Sequence, residues 1–146
     1  SLHQKILWPT DSTLALSRIV YCGVLDRHPN LKLIASHLGG MILLYLDRLN
    51  WREGNPECKQ EPEEYFKKIY YDTAGPIRAA FIKLVYDTVG ADQILFGADY
   101  PHGRDGKDDQ FYPMTLKAMD ELDIPKADKE KIYYQNAKAL FGFEEG

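Results

Sequence analysis

Apolar residues are laid along this chain in two rhythms. Three short, mainly apolar runs, at residues 31–35 (LKLIA), 69–71 (IYY) and 94–96 (ILF), are each followed by small or polar residues. Runs of this kind predict strands buried on both faces, as in parallel sheets. Between them the apolar positions fall three and four apart, the spacing of a helix with one buried side. A helix is predicted over residues 10–27, with Thr10, Asp11 and Ser12 offering N-cap side chains and Pro29 as its stop. Its apolar side carries Ala15, Ile19 and Cys22, with Leu16 and Val20 beside them, and Gly23 is placed for close packing. A second helix covers residues 41–51, with Ile42, Tyr45, Leu46 and Leu49 on one stripe. Pro62, Glu63 and Glu64 open a short third, since proline is preorganised in a first turn and acids suit its positive end. The clearest helix runs from Pro76 to Gly90, with Ile77, Ala80, Phe81, Leu84, Val85 and Thr88 on one face. Two more are predicted over residues 113–122 and 128–140, with Gly142 as the final stop. Residues 1–9 carry no assignment and residues 52–62 read as a polar loop. Residues 103–110 form a charged, glycine-containing loop, expected to move when no ligand is bound.

Strands that alternate with amphipathic helices, at roughly 30 residues per unit, imply parallel pairing with right-handed crossovers. The predicted fold class is therefore α/β. A full eight-fold barrel takes about 250 residues. The 146 residues hold three clear strand–helix units behind one leading helix, which leaves a small open sheet or the back half of a barrel. The composition, 45% hydrophobic and 27% charged, is that of an ordinary globular protein with one core. A net charge of −4 speaks against a nucleic-acid partner. No apolar run is long enough to cross a membrane and no signal peptide is visible. Cys22 and Cys58 make neither a disulfide framework nor a metal cluster. A cytoplasmic chain with reduced thiols is expected, and a first residue other than Met fits a cut or processed chain.

The chemistry gathers where the strands end. His37 follows the first strand, Asp72 the second and Asp99 the third. In a parallel sheet all three reach one rim, and α/β proteins place their chemistry just past the carboxyl ends of such strands. A histidine and two carboxylates on one rim suit a divalent metal, zinc ahead of manganese, able to generate hydroxide near neutral pH. Asp99 is the candidate metal ligand or general base. Each residue also has a plainer reading. His37 could be a core histidine bonded to backbone, Asp72 the cap of the helix beginning near Pro76, and Asp99 the cap of the next turn. Gly39 and Gly40 would let backbone and ligand come close. His102 is either a substrate contact or a surface-loop residue, and Arg104 and Lys107 either meet a carboxylate substrate or stay solvated. His28, at a helix end, is read as structural, and Asn136 as a buried hydrogen-bonding residue that ties the last helix to a neighbour.

Four stretches carry a resemblance: WPTDSTLALSRIVYCGVLDRHPNLKLIASHLGG (residues 8–40), IYYDTAG (69–75), ILFGADYPH (94–102) and QNAKALFGF (135–143). In these, over nearly its whole length, the chain resembles the C-terminal half of the amidohydrolase-related proteins. The branch it resembles includes aminocarboxymuconate-semialdehyde decarboxylase and the γ-resorcylate-type decarboxylases. The resemblance implies a partial (β/α)8 TIM barrel, about strands six to eight with their helices, in which residues 1–146 are the C-terminal part of one metal-dependent hydrolase domain. It implies that Asp99 is the strand-eight metal ligand. It implies that His37, at the end of strand six, is the catalytic histidine, an acid/base in the decarboxylases and a ligand in some hydrolases. Asp72 matches the strand-seven end, with no catalytic role carried over. The family's first-strand His-x-His or Glu-x-His pair is absent from this sequence. The strand-five histidine ligand, usually followed by proline, is not carried onto His3, which Gln4 follows.

The expectation is thus the C-terminal portion of a metal-dependent enzyme, inactive as an isolated fragment and homo-oligomeric when whole. It would hydrolyse a C–N or ester-type bond, or decarboxylate a small carboxylate or ring substrate. In the hydrolytic version metal-bound water attacks and Asp99 handles its proton. In the decarboxylating version the metal orients the carboxylate and His37 delivers a proton to carbon. The rival from another class is a non-catalytic α/β binding or self-assembly module derived from such an enzyme.

Overall fold

The structure is a computed structural model that describes residues 2–50, 57–75, 77–103 and 110–143. Each apolar run predicted as a strand contributes one: β1 (Ile34–Ala35), β2 (Tyr70–Asp72) and β3 (Ile94–Leu95). They form one sheet in the order β1-β2-β3, and both pairings are parallel. Ala35 pairs with Tyr71 and Tyr71 with Ile94, so the three share one level and one face, and all are buried. The other face carries Ile34, Tyr70 and Asp72, and there Ile34 is 43% exposed. Parallel sheets are ordinarily covered on both faces. The described residues cover one fully and the other only near β3, where Leu95 is buried.

The helices are α1 (Trp8–Tyr21), α2 (Val24–Arg27), α3 (Leu46–Leu49), α4 (Pro62–Phe66), α5 (Ala79–Val89), α6 (Phe111–Asp120), α7 (Lys126–Glu130) and α8 (Asn136–Phe141). Val20 of α1, Phe66 of α4, Ile82 of α5, Met119 of α6 and Ile132 join the buried strand face in one contiguous core. Burial of each such side chain contributes about 1.5–3 kcal/mol. Asn136, half-buried rather than buried, ties α8 to its neighbour as expected, its Nδ2 donating to the carbonyls of Ala91 and Ile94 at 2.8 Å each. None of the described helices is long and apolar enough to cross a membrane.

Several boundaries differ from the sequence expectation, each for a local reason. The first helix starts earlier, because a π-helical turn over His3–Leu7 runs straight into α1. Thr10 and its neighbours are therefore inside a helix rather than at its cap, and the Thr10 hydroxyl donates back to the Ile6 carbonyl at 2.7 Å. The same helix stops at Tyr21, where Gly23 turns left-handed (φ 63) and the Glu57 amide donates to the Tyr21 carbonyl at 2.7 Å. A Cβ on Gly23 would stand 3.2 Å from the Glu57 carbonyl oxygen, so the close packing is with residue 57. The helix predicted at 41–51 begins with a 3-10 turn over Leu43–Tyr45. Ile42 is buried and Leu46 and Leu49 pack against the core as expected, while the tighter winding also buries Leu43 and leaves Tyr45 45% exposed. In α5 the core takes Ile82 and Val85, and the predicted face is turned outward at Phe81, 47% exposed. The last helix winds from α7 into α8 through a π-helical turn over Lys131–Gln135. Most of the charged loop, with Arg104 and Lys107, lies outside the described residues, as do Trp51 and Pro76.

Candidate functional site

β1 runs on into Ser36, still extended, and the next four residues have positive φ: His37 (53), Leu38 (53), Gly39 (74) and Gly40 (66). A residue with a Cβ gives up roughly 1–2 kcal/mol in that region, so two such residues in succession must be held by their surroundings. Leu38 is held by burial. His37 is exposed, and hydrogen bonds hold it instead. Its N–H donates to Asp72 Oδ1 at 2.8 Å, and its Nδ1 lies 3.0 Å from the Ala74 carbonyl oxygen. The glycines permit close packing, and Gly40 also lines the groove that His37 borders. A Cβ on Gly39 would lie 2.6 Å from the Tyr71 ring, and one on Gly40 would lie 2.5 Å from the Pro9 carbonyl oxygen. The Met41 N–H donates to Thr13 Oγ1 at 2.9 Å, and that hydroxyl donates to Pro9 at 2.7 Å, which pins the turn to α1.

β2 ends on Asp72, whose Oδ1 also accepts the Ala74 N–H at 3.1 Å. Asp72 does not cap the following helix: α5 begins at Ala79, with Arg78 at its N-cap and no side-chain cap bond. Thr73, fully buried, extends the β2–β3 ladder. Its N–H donates to the Leu95 carbonyl at 3.0 Å, and its hydroxyl donates to the Gly97 carbonyl at 3.0 Å while accepting the Gly97 N–H at 3.1 Å. From α6 the buried Thr115 hydroxyl reaches the Gly75 carbonyl at 3.3 Å. A Cβ on Gly75 would stand 2.9 Å from His37 Nδ1, so only glycine there leaves room for the imidazole.

After β3, Gly97 passes close to Asp72, and the chain then turns left-handed at Asp99 (φ 58). The His102 N–H donates to the Asp99 carbonyl at 2.9 Å, closing a turn around the cis Tyr100–Pro101 peptide. Asp99 is half-buried and, among the described residues, its carboxylate has no hydrogen-bond partner. His102 is exposed, and its carbonyl accepts the Phe111 N–H at 3.3 Å. Measured from the shared level of Ala35, Tyr71 and Ile94, His37 lies two residues on, Asp72 one and Asp99 five. All three therefore stand at the carboxyl edge of the sheet. Direct contact joins His37 and Asp72, while no hydrogen bond joins Asp99 to either.

A carbonyl oxygen can only accept, so the proton of the His37–Ala74 bond sits on Nδ1. That leaves Nε2 to take and give a proton. The ring borders a groove of ≈ 400 Å³ that Lys5, Leu44, Ile77 and Phe81 also line. Beneath the turn, burial pushes the Tyr71 phenol well above its ordinary range, and its hydroxyl donates to the Phe66 carbonyl at 2.7 Å. Away from this rim, the Tyr65 hydroxyl and the Lys59 amide hold the Asp26 carboxyl below its usual range. Among the described residues no three His, Cys, Asp or Glu side chains come together to hold a metal ion. Catalytic zinc normally takes three protein ligands, so the donors described here do not fit a complete metal centre. Thr13, Thr73 and Thr115 hold the site together without having been singled out in the sequence. The position of Thr73 just after a strand-ending aspartate was the one visible signal.

The amidohydrolase family's sequence profile matches residues 5–143. The γ-resorcylate decarboxylase of Polaromonas sp. is 28% identical over 152 residues, 95% of this chain and 44% of that protein. The crystal structure of 5-carboxyvanillate decarboxylase from Sphingomonas paucimobilis superposes with a TM-score of 0.75 at 25% identity, over 88% of this chain and 38% of the other. Dihydroxybenzoic acid decarboxylase from Polaromonas sp., solved with manganese and the inhibitor 2-nitroresorcinol, gives a TM-score of 0.81 at 23% identity, over 99% and 46%. These neighbours are TIM barrels, so the three parallel strands are part of a (β/α)8 fold. The chain spans less than half the length of each of these relatives.

Proposed function

The chain belongs to the amidohydrolase family, and from that premise we propose that it carries the strand-six to strand-eight side of a metal-dependent, non-oxidative decarboxylase of small aromatic carboxylates. The seat of His37 carries this reading: Nδ1 is committed to the Ala74 carbonyl, and Nε2 has no hydrogen-bond partner among the described residues. The names of the relatives, γ-resorcylate and 5-carboxyvanillate decarboxylase, favour decarboxylation over hydrolysis.

In the proposed reaction, imidazolium His37 donates the Nε2 proton to the ring carbon that bears the carboxylate. The C–CO2 bond then breaks, its electron pair returns to the ring, CO2 leaves, and Nε2 regains a proton from water. Nδ1 donates in both the neutral and the charged ring, so its bond to Ala74 persists through the cycle. His37 acting as the acid is thereby outside the ligand set, and Asp99 is the donor this chain offers to a divalent metal. We assign manganese ahead of the zinc expected from the sequence, on the precedent of the Polaromonas structure and because carboxylate oxygen suits it. His102, exposed beside Asp99, is assigned to contact substrate, and a homo-oligomer to be the working assembly.

Two variants of the longest polypeptide carrying these residues separate the roles. Asp99→Ala is expected to lose bound manganese and activity together. His37→Ala is expected to keep the metal and lose about 10²- to 10⁴-fold in rate. Full activity in both folded variants, read beside their metal content by elemental analysis, overturns the assignment.

A further inference from the structure

We infer that Asp72 is a positioning residue that imposes the Nδ1–H form on His37 and so leaves Nε2 open for proton transfer. Its importance for the reaction rests on the proposed role of His37, whereas the hydrogen-bond geometry does not. Three hydrogen bonds close a ring. Asp72 Oδ1 accepts the His37 N–H at 2.8 Å, the same oxygen accepts the Ala74 N–H at 3.1 Å, and the Ala74 carbonyl meets His37 Nδ1 at 3.0 Å. One carboxylate oxygen thus fixes both the residue that carries the imidazole and the residue whose carbonyl decides where the imidazole proton sits.

The arrangement has to be imposed. A free histidine side chain in water favours the proton on Nε2, and a bond from Nδ1–H to a carbonyl reverses that preference. Burial cannot hold the ring, because His37 is exposed. Its backbone is left-handed (φ 53), a region that a non-glycine residue leaves unless anchored. Gly75 allows the ring to seat, since a Cβ there would stand 2.9 Å from Nδ1, but it supplies no force that keeps the ring in place. Asp72 meanwhile makes no ion pair among the described residues and does not cap α5. What the turn uses is an acceptor atom at one point, not a negative charge.

That distinction gives the test. In protein labelled with ¹⁵N-histidine, at a pH above the ordinary histidine range, the ¹⁵N shifts report which ring nitrogen bears the proton. His37 is expected to be in the Nδ1–H form in the unmutated protein. It keeps that form in Asp72→Asn, whose Oδ1 accepts the same two amides, and loses it to the Nε2–H form in Asp72→Ala. An unchanged Nδ1–H form in folded Asp72→Ala, or its loss in folded Asp72→Asn, overturns the inference. Should Asp72→Ala not fold, hydrogen exchange in the unmutated protein decides. Slow exchange of the His37 and Ala74 amides supports the ring of bonds, and exchange at unprotected rates overturns it. In the assembled enzyme Asp72→Ala is expected to lower kcat by about 10²-fold, with Asp72→Asn restoring it. If His37→Ala is fully active, the decarboxylase reading fails while the tautomer result is unaffected.

Discussion

Tyr71 is fully buried beneath the turn that carries His37, and the Phe66 carbonyl accepts its hydroxyl proton. Burial raises its pKa in the folded protein, so folding favours the neutral phenol. The stability this represents is fully present below the ordinary phenol value of about 10 and is lost as pH rises beyond it. Tyr71→Phe is therefore expected to flatten the alkaline fall in the thermal midpoint. At neutral pH it should cost about 0.5–1.5 kcal/mol, the worth of one hydrogen bond, because the Phe66 carbonyl keeps the Ile69 N–H at 3.3 Å. Midpoints measured across an alkaline pH series check both, and an unchanged slope contradicts the first. Other details of the site differ in how far the sequence discloses them. His37 and Asp99 are legible because a residue placed just past a short apolar run has few other places to be. The partners of Asp72 are not, because its bond to the His37 amide spans 35 positions and depends on a left-handed turn that no local pattern announces. The glycines at 39 and 40 are visible as a signal, but the contacts they permit, with a tyrosine ring and a backbone carbonyl, are not.

At the scale of elements, the strands and their order of appearance follow from apolar runs, while helix limits answer to contacts from elsewhere. α1 ends where residue 57 docks on it, and the face of α5 is chosen by the core under Ile82, not by the width of its apolar band. Two substitutions probe how elements are joined. Gly39→Ala places a Cβ against Tyr71 in a backbone that already has φ 74. It is expected to destabilise by about 1–3 kcal/mol or more and to disturb the turn at His37 along with the β1–β2 junction. Asn136→Ala removes both bonds from α8 to the β3 end. It should cost about 1–3 kcal/mol, while leaving the His37 tautomer unchanged. Urea unfolding of both variants checks the magnitudes, and loss of the tautomer in folded Asn136→Ala contradicts the separation of the two ends of β3.

Across the whole molecule, the sheet presents a covered face and a more open one, and the rim residues stand at its carboxyl edge. Asp72 lies on the more open face, beside Ile34 and Tyr70. In a closed barrel that face looks inward, toward strands that the relatives possess over the rest of their length. The described residues place His37, Asp72 and Asp99 on that rim and gather no cluster of three metal-ligating side chains. The fold class could be read from 146 residues because three repeats of strand and helix declare a parallel sheet. Which side chains meet at the rim could not, since partners on separate strands need not be near one another in sequence. In the proposed reaction His37 hands a proton to the carbon that loses CO2. CO2 release from γ-resorcylate is to be measured on the longest polypeptide carrying these residues, loaded with manganese, and on its His37→Gln variant. Release is expected from the former and a loss of about 10²- to 10⁴-fold in the latter, with manganese still bound. Undiminished release by folded, manganese-loaded His37→Gln would contradict that role for His37.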